Sequence, residues 1–278
     1  MVKDGNNIYY LPATPKIIID GAGTVYHGGG KFQPETLAIF ARSRAAGFNT
    51  PDIFFMRKVD IIIYNLKLSG VWYKLDAFFW FGYQTTTFMN FRTINWKNPT
   101  GALGVIGGGV TIEAYGLKGN AMNGYFDTGF VPSVNGVNYT LNSAHVGILE
   151  YTEHTTSQVI CSAGNLITWN AGGQTGQRLN STNNLTEARG RANIEYKVMS
   201  RNNSATTDFY YKDLQSVSNQ ASTAIPTDAI RFLISASIYS LLGMSVISVG
   251  GALTNSEYQL QRAIINNGLA LFGLNPIA

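Results

Sequence analysis

The chain has 278 residues, of which only 13% are charged and 12% aromatic, and its 20 basic and 16 acidic side chains leave a formal net charge of +4. This excludes a disordered chain, which needs low hydrophobicity and high charge, and the basic residues are too scattered to track a phosphate backbone, so nucleic acid is not an expected partner. The single cysteine, Cys161, excludes an internal disulfide and a cysteine-rich zinc site, and its apolar setting reads as a buried thiol.

Residues 1–33 alternate apolar pairs with Gly, Asn and Pro and hold too little apolar surface to fold alone. They read as an arm, with short strands at 17–19 and 24–26, that docks on the body, on sister subunits or on a larger assembly. The opening MVKDGNNIYYLPATPK lacks a continuous apolar core and a small-residue cleavage site, so a secretory signal is not expected. The glycine-rich pieces make no nucleotide loop. Gly30-Lys31 is followed by Phe32 where a Walker loop needs Ser or Thr, and Gly21-Ala22-Gly23 lacks the third glycine of the dinucleotide fingerprint.

Residues 34–70 read as a helical lead-in. PETLAIFARSRAA at 34–46 predicts a helix with Pro34 near its first position, Glu35 in the first turn, and Arg42 and Arg44 in the last, each charge complementing the helix dipole. Residues 51–68 predict a second, with Asp52 in the first turn and a buried face of Phe55, Val59, Ile62, Ile63 and Leu66.

Residues 71–278 read as a sandwich with a C-terminal helix. The aromatic run at 71–83 (Trp72, Tyr73, Phe78, Phe79, Trp80, Phe81, Tyr83) is expected to be core in the first strand, because each ring can bury roughly 150–250 Å². Strands are predicted at 88–90, 94–96, 105–106, 124–130 and 144–151, and then at 157–163, 166–169, 176–179, 195–200, 208–212, 215–218, 230–237 and 244–249. A hairpin tip falls at Lys212-Asp213-Leu214 and a polar surface loop at 180–193. Residues 232–253 carry no charge and could span a bilayer on length alone, but their serines, glycines and β-branched residues predict two buried strands joined by a hairpin and no membrane span. Thr254 or Asn255 caps a last helix at 256–271, which Gly273 and Pro276 end.

The stretch GYFDTGFVPSVNGVNYTLNSAHVGILEYTE, residues 124–153, resembles the concanavalin A-like (LamG-like) jelly-roll domain of tail, fibre and spike proteins in phages and prophages of the Bacteroidetes. The helix and G-x-W-x-K-x-x-A segment ending at Ala77 are similar to that family's lead-in, and the last strands and helix to its close, so the likeness covers roughly residues 40–272. The resemblance implies an all-β concanavalin A-like jelly-roll β-sandwich with flanking helices, located in a virion. Within that context the chain is read as a non-enzymatic structural protein (spike, head or tail fibre, or capsid decoration) that contacts host-surface glycans, with the arm expected to form a trimer and to join other virion proteins. A glycan-active enzyme of laminarinase-like fold and a bacterial surface lectin are the alternatives.

The residues favour the non-enzymatic reading. A laminarinase-like strand needs E-x-D-x-x-E, whereas Glu150-Tyr151-Thr152-Glu153 lacks the Asp and its two carboxylates point to opposite faces of a strand. His27, His145 and His154 have no metal-ligand spacing, and Ser143, Ser157 and Ser162 lack a nucleophile elbow. Asp127 is the most tempting calcium donor, but within a strand it is expected to bond a neighbouring loop, so neither a metal nor a cofactor is expected. For a sugar, Trp169 and Asn170 make the best pairing: a Trp at a strand end before Ala171-Gly172-Gly173-Gln174 could stack on a pyranose while the amide reads its hydroxyls.

Overall fold

The computed structural model describes residues 2–3, 9–10, 17–19, 25–27, 32–83, 85–153, 158–164, 166–171, 174–183, 185–187, 194–235 and 238–277. In the arm, β1 (Val2–Lys3) pairs with β2 (Tyr9–Tyr10) and β3 (Ile17–Ile19) with β4 (Val25–His27). The lead-in is α1 (Pro34–Ala45) and α2 (Ile53–Leu68). Helix α2 starts two residues later than its sequence suggests, because Asp52 is the cap outside it: its carboxylate accepts the Phe55 N–H, one of the donors a helix start leaves free.

A 3-10 turn (Val71–Lys74) takes the first residues of the aromatic run, and only then does β5 (Leu75–Trp80) begin. The expected strands at 88–90 and 94–96 do not form. Residues Asn90–Thr93 make a 3-10 turn, and residues 94–96 lie beside β5 with Asn95 standing in for a ladder partner. Its Oδ1 accepts Phe78 N–H at 3.0 Å, while Trp96 N–H donates to Phe78 O at 2.8 Å.

The body continues through β6 (Val105–Gly107), β7 (Thr111–Ile112), β8 (Leu117–Lys118), β9 (Tyr125–Asp127), the one-turn α3 (Pro132–Asn135) and β10 (Ala144–Glu150). Next come β11 (Gln158–Ala163), β12 (Leu166–Ala171), β13 (Gln174–Arg178) and β14 (Leu185–Glu187). They are followed by β15 (Glu195–Arg201), β16 (Thr206–Tyr211), β17 (Leu214–Asn219), β18 (Arg231–Phe232), β19 (Ile234–Ser235) and β20 (Ile238–Tyr239). The chain closes with β21 (Gly243–Gly250) and α4 (Asn255–Leu271).

These strands form an antiparallel jelly-roll sandwich. One sheet runs β17-β16-β15-β10-β21-β8-β7, with β5 also on β21, and the facing sheet runs β14-β13-β12-β11-β18-β9-β6. Two apolar layers result. Ala77, Phe79, Val146, Ile148, Met199, Phe209 and Ile247 point between the sheets, where they meet Phe126, Ile160 and Phe232. Phe78, Trp80, Leu149, Tyr196, Val198 and Val246 point the other way, onto α2 and α4. The eight-stranded sheet is therefore covered on both faces, and every residue of β5, β10, β15 and β21 is buried. That is why these strands read as continuous apolar runs rather than alternating ones. Burying each large side chain contributes roughly 2–3 kcal/mol.

Helix α4 is held by a capping box: Thr254 Oγ1 and Glu257 each bond the other's backbone N–H, and Glu257 also pairs with Lys74 at 2.6 Å. The Asp76 carboxylate anchors the loop before β10 by accepting the N–H groups of Val137, Asn138 and Tyr139.

Residues 232–253 are not a hairpin. Phe232 pairs with Phe126 and Cys161 in the seven-stranded sheet, whereas β21 lies between β10 and β5 in the other; the small β19–β20 pair sits in between. Hydropathy misleads here because the two strands fill one core from opposite sides. The expected surface loop at 180–193 begins inside the protein: Asn180 and Ser181 are buried, Tyr139 OH donates to Asn180 Oδ1 at 2.7 Å, and the Asn180 amide donates to the Thr140 and Leu141 carbonyls. Leu185–Glu187 is a strand rather than loop. No helix of the described residues is long and apolar enough to cross a membrane.

Candidate functional site

Trp169 and Asn170 lie within β12, not at its end. The strand runs on to Ala171, and Trp169 pairs with Val159 on one side and Gly176 on the other, Asn170 with Gln158 and Thr175. Their side chains lie outside the described residues, as do Gly172 and Gly173.

Elsewhere on the same sheet a cluster stands on the outer face. Phe126 points into the core, so its neighbours Tyr125 and Asp127 point out; on β18 the inward Phe232 likewise sends Arg231 out, directly opposite Asp127. Arg231 Nε donates to Asp127 Oδ2 at 2.7 Å, and the Arg231 side chain stays 53% exposed. Asp127 Oδ1 accepts the Gly129 N–H at 2.9 Å. The carboxylate that the sequence offered as a calcium donor thus bonds both its own turn and a cation on the neighbouring strand.

Tyr125 lies flat on the edge of this sheet. Its cross-strand partner on β6 is Gly107, where an added Cβ would come within 2.2 Å of Tyr125 Cζ. The missing side chain lets the ring rest on the backbone. The Arg231 guanidinium sits 5.9 Å from the ring centroid, and Val105, opposite Asp127, is exposed. Sequence reading missed this cluster. The alternation Tyr-Phe-Asp was legible, but the register that sets Arg231 against Asp127 spans 104 positions.

Among the described residues, His145, Ser248 and Glu150 are locked inside. His145 Nδ1–H donates to the Gly251 carbonyl at 2.5 Å, and Nε2 lies 3.2 Å from Ser248 Oγ, which in turn is 2.7 Å from the Tyr196 hydroxyl. A Ser–His contact is the geometry of an activated nucleophile, but here both residues are fully buried and the third group is a carbonyl rather than a carboxylate. Desolvation holds the imidazole down at about 4, so it is neutral at pH 7. The row depends on Gly147, where a Cβ would meet Tyr196 Oη at 2.5 Å and Ser248 Oγ at 2.6 Å.

Glu150 is fully buried and its Oε2 accepts from Lys197 Nζ at 2.8 Å. Lys197 lines a water-sized cavity between the sheets with Val146, Ile148, Ile160, Cys161, Met199 and Phe209, far too small for a sugar. Glu153 is exposed, so the two glutamates do not share a groove. Ser143 Oγ accepts Ala252 N–H and Ser162 Oγ donates to Ile234 O; Ser157, His154 and the His27 side chain lie outside the described residues. Among the described residues no three His, Cys, Asp or Glu side chains come together to hold a metal ion.

The architecture defines the class: a jelly-roll β-sandwich with one sheet under helices and the other sheet's outer face carrying the exposed Arg231 and Val105 beside the half-buried Tyr125 and Asp127. No family model and no curated protein matches the chain. Among solved structures it is similar to the receptor binding domain of botulinum neurotoxin C/D mosaic serotype, at 11% identity over 67% of this chain and 52% of that one, with a TM-score of 0.51. It is similar also to the structure described as the HCR/D F1240A mutant, at 9% identity over 68% and 51% of the two chains, with a TM-score of 0.50. The chain thus spans about half the length of these structures. At such identities the likeness is one of fold.

Proposed function

We propose that this protein is a non-enzymatic component of a bacteriophage virion, a spike, fibre or capsid decoration, that contacts host-surface glycans with the outer face of its seven-stranded sheet. The observation that carries the reading is the asymmetry of the sandwich. Helices α2 and α4 occupy the outside of one sheet, while the other presents Arg231 and Val105 to solvent beside the half-buried Tyr125 and Asp127. The fold likeness to a receptor binding domain supports recognition as the task, and the resemblance of residues 124–153 to phage fibre and spike proteins supports the virion context. The burial of His145, Ser248 and Glu150 supports the absence of hydrolysis, since no substrate reaches them.

In this reading residues 1–33 mediate trimerisation and attachment to other virion proteins. The purified full-length protein should bind host cells and compete with phage adsorption, and a glycan library incubated with it should remain uncut. Deleting residues 1–33 should leave a folded, monomeric body. A protein that neither binds host cells nor blocks adsorption would overturn the attachment role, and glycan turnover would overturn the non-enzymatic one.

A further inference from the structure

We propose that Tyr125, Asp127 and Arg231 form a subsite for one neutral hexopyranose residue with a free pair of neighbouring hydroxyls. The inference rests on the glycan-binding reading above and names the place and the ligand class.

The parts of such a subsite are an apolar platform for the C–H face of a sugar ring and a few fixed polar groups for its hydroxyls. Tyr125 supplies the platform. Gly107 lets the half-buried ring lie against the β6 backbone, the Arg231 guanidinium stands 5.9 Å from its centroid, and the exposed Val105 extends the apolar floor along the same strand. Arg231 and Asp127 supply the polar groups at its border. Asp127 takes up Arg231 Nε, and the two terminal guanidinium nitrogens have no hydrogen-bond partner among the described residues. Each Asp127 oxygen accepts one hydrogen bond and keeps a second lone pair. Donor and acceptor therefore stand side by side, which suits adjacent hydroxyls that each give one proton and accept another.

The ion pair also fixes both side chains before a ligand arrives, so little freedom is lost on binding. Charge decides the class. Asp127 neutralises Arg231, and Asp228 lies close enough to act on the same guanidinium, so the site offers no net positive charge to a carboxylated or sulfated sugar. Gly107 acts here as a positioning residue: a side chain there would lift the ring off the strand.

The test uses the full-length protein on a printed glycan array, followed by calorimetric titration with lactose, cellobiose and 3′-sialyllactose. Neutral hexose-terminated glycans should bind. Tyr125→Ala and Arg231→Gln should each weaken binding at least tenfold with unchanged thermal melting, and Gly107→Val should weaken it several-fold although it removes no polar group. Unchanged binding in Tyr125→Ala and Arg231→Gln, with loss in Trp169→Ala, would overturn this subsite while the glycan-binding function stood. Binding confined to sialylated glycans would overturn the neutral class. A wild-type protein that binds no glycan would overturn the function and the subsite together.

Discussion

In the eight-stranded sheet, His145 and Ser248 lie under α4 with their polar atoms bonded to one another, to the Gly251 carbonyl and to the Tyr196 hydroxyl, while in the seven-stranded sheet Arg231 pairs with Asp127 through Nε and its two terminal nitrogens have no hydrogen-bond partner among the described residues. Both sheets are antiparallel. What differs is the second neighbour: one sheet has helices on its outer face and the other, at its β6–β9–β18 end, has water. A polar side chain under a helix must be satisfied from within, because an orphaned buried group costs about 1–3 kcal/mol, and so it becomes structural. The same side chain facing water can keep unused hydrogen-bonding capacity, which is what recognition requires.

This contrast makes the two sheets break differently. The largest effect is expected at Trp80, fully buried between β5 and the helices, stacked on Trp96 at 5.8 Å and donating its indole N–H to the Gly82 carbonyl. Trp80→Ala should lower the unfolding free energy by about 3–5 kcal/mol in urea titrations. A loss under about 1 kcal/mol would mean that the helical layer is not part of the core.

Next in size is a pH effect from His145. Its folded pKa, about 4, lies below the ordinary value of 6.5. Between those values the unfolded chain binds the proton and the folded one does not, so stability is fully present above pH 6.5 and is lost as pH falls towards 4. The loss should approach about 3 kcal/mol. Denaturant titrations from pH 7.5 to 4 should show this slope in the wild type, and His145→Gln should flatten it. A slope that survives the substitution would assign it to other groups.

A smaller change is expected at the start of α4. Thr254→Ala removes the side-chain half of the capping box and should cost about 1 kcal/mol, read as a fall in Tm. The smallest stability effect should come from the open face. Arg231→Ala breaks an ion pair that is half in water and should move stability by less than about 0.5 kcal/mol. A penalty as large as that at Trp80 would show that this cluster is structural, and the contrast between the sheets would fail.

The lead-in and closing helices were legible in detail. Thr254 and Glu257 sit where local rules for helix starts put them, because a cap is decided within four residues of chain, whereas Asp52, read as part of the first turn, caps α2 from outside it. Strand positions were legible for β10, β15 and β21, where apolar runs end at Gly, Asn or polar turns. Asn95 was not: a side-chain amide replaced a ladder bond next to β5, and no local pattern separates that from a strand. The sugar pairing placed at Trp169 and Asn170 assumed a strand end, whereas pairing with β11 and β13 puts both within the sheet.

The sequence by itself determined the β-rich class, the capped helices, the buried state of Cys161 and of most of the aromatic run, and the want of a local catalytic motif. Each follows from residue type and near-neighbour spacing, over which side-chain chemistry and backbone preference act directly. Only the tertiary structure decided which strands share a sheet, which sheet is covered by helices, and that Arg231 stands opposite Asp127. Those outcomes depend on register between segments about a hundred residues apart, where one residue of slip would turn each side chain to the opposite face.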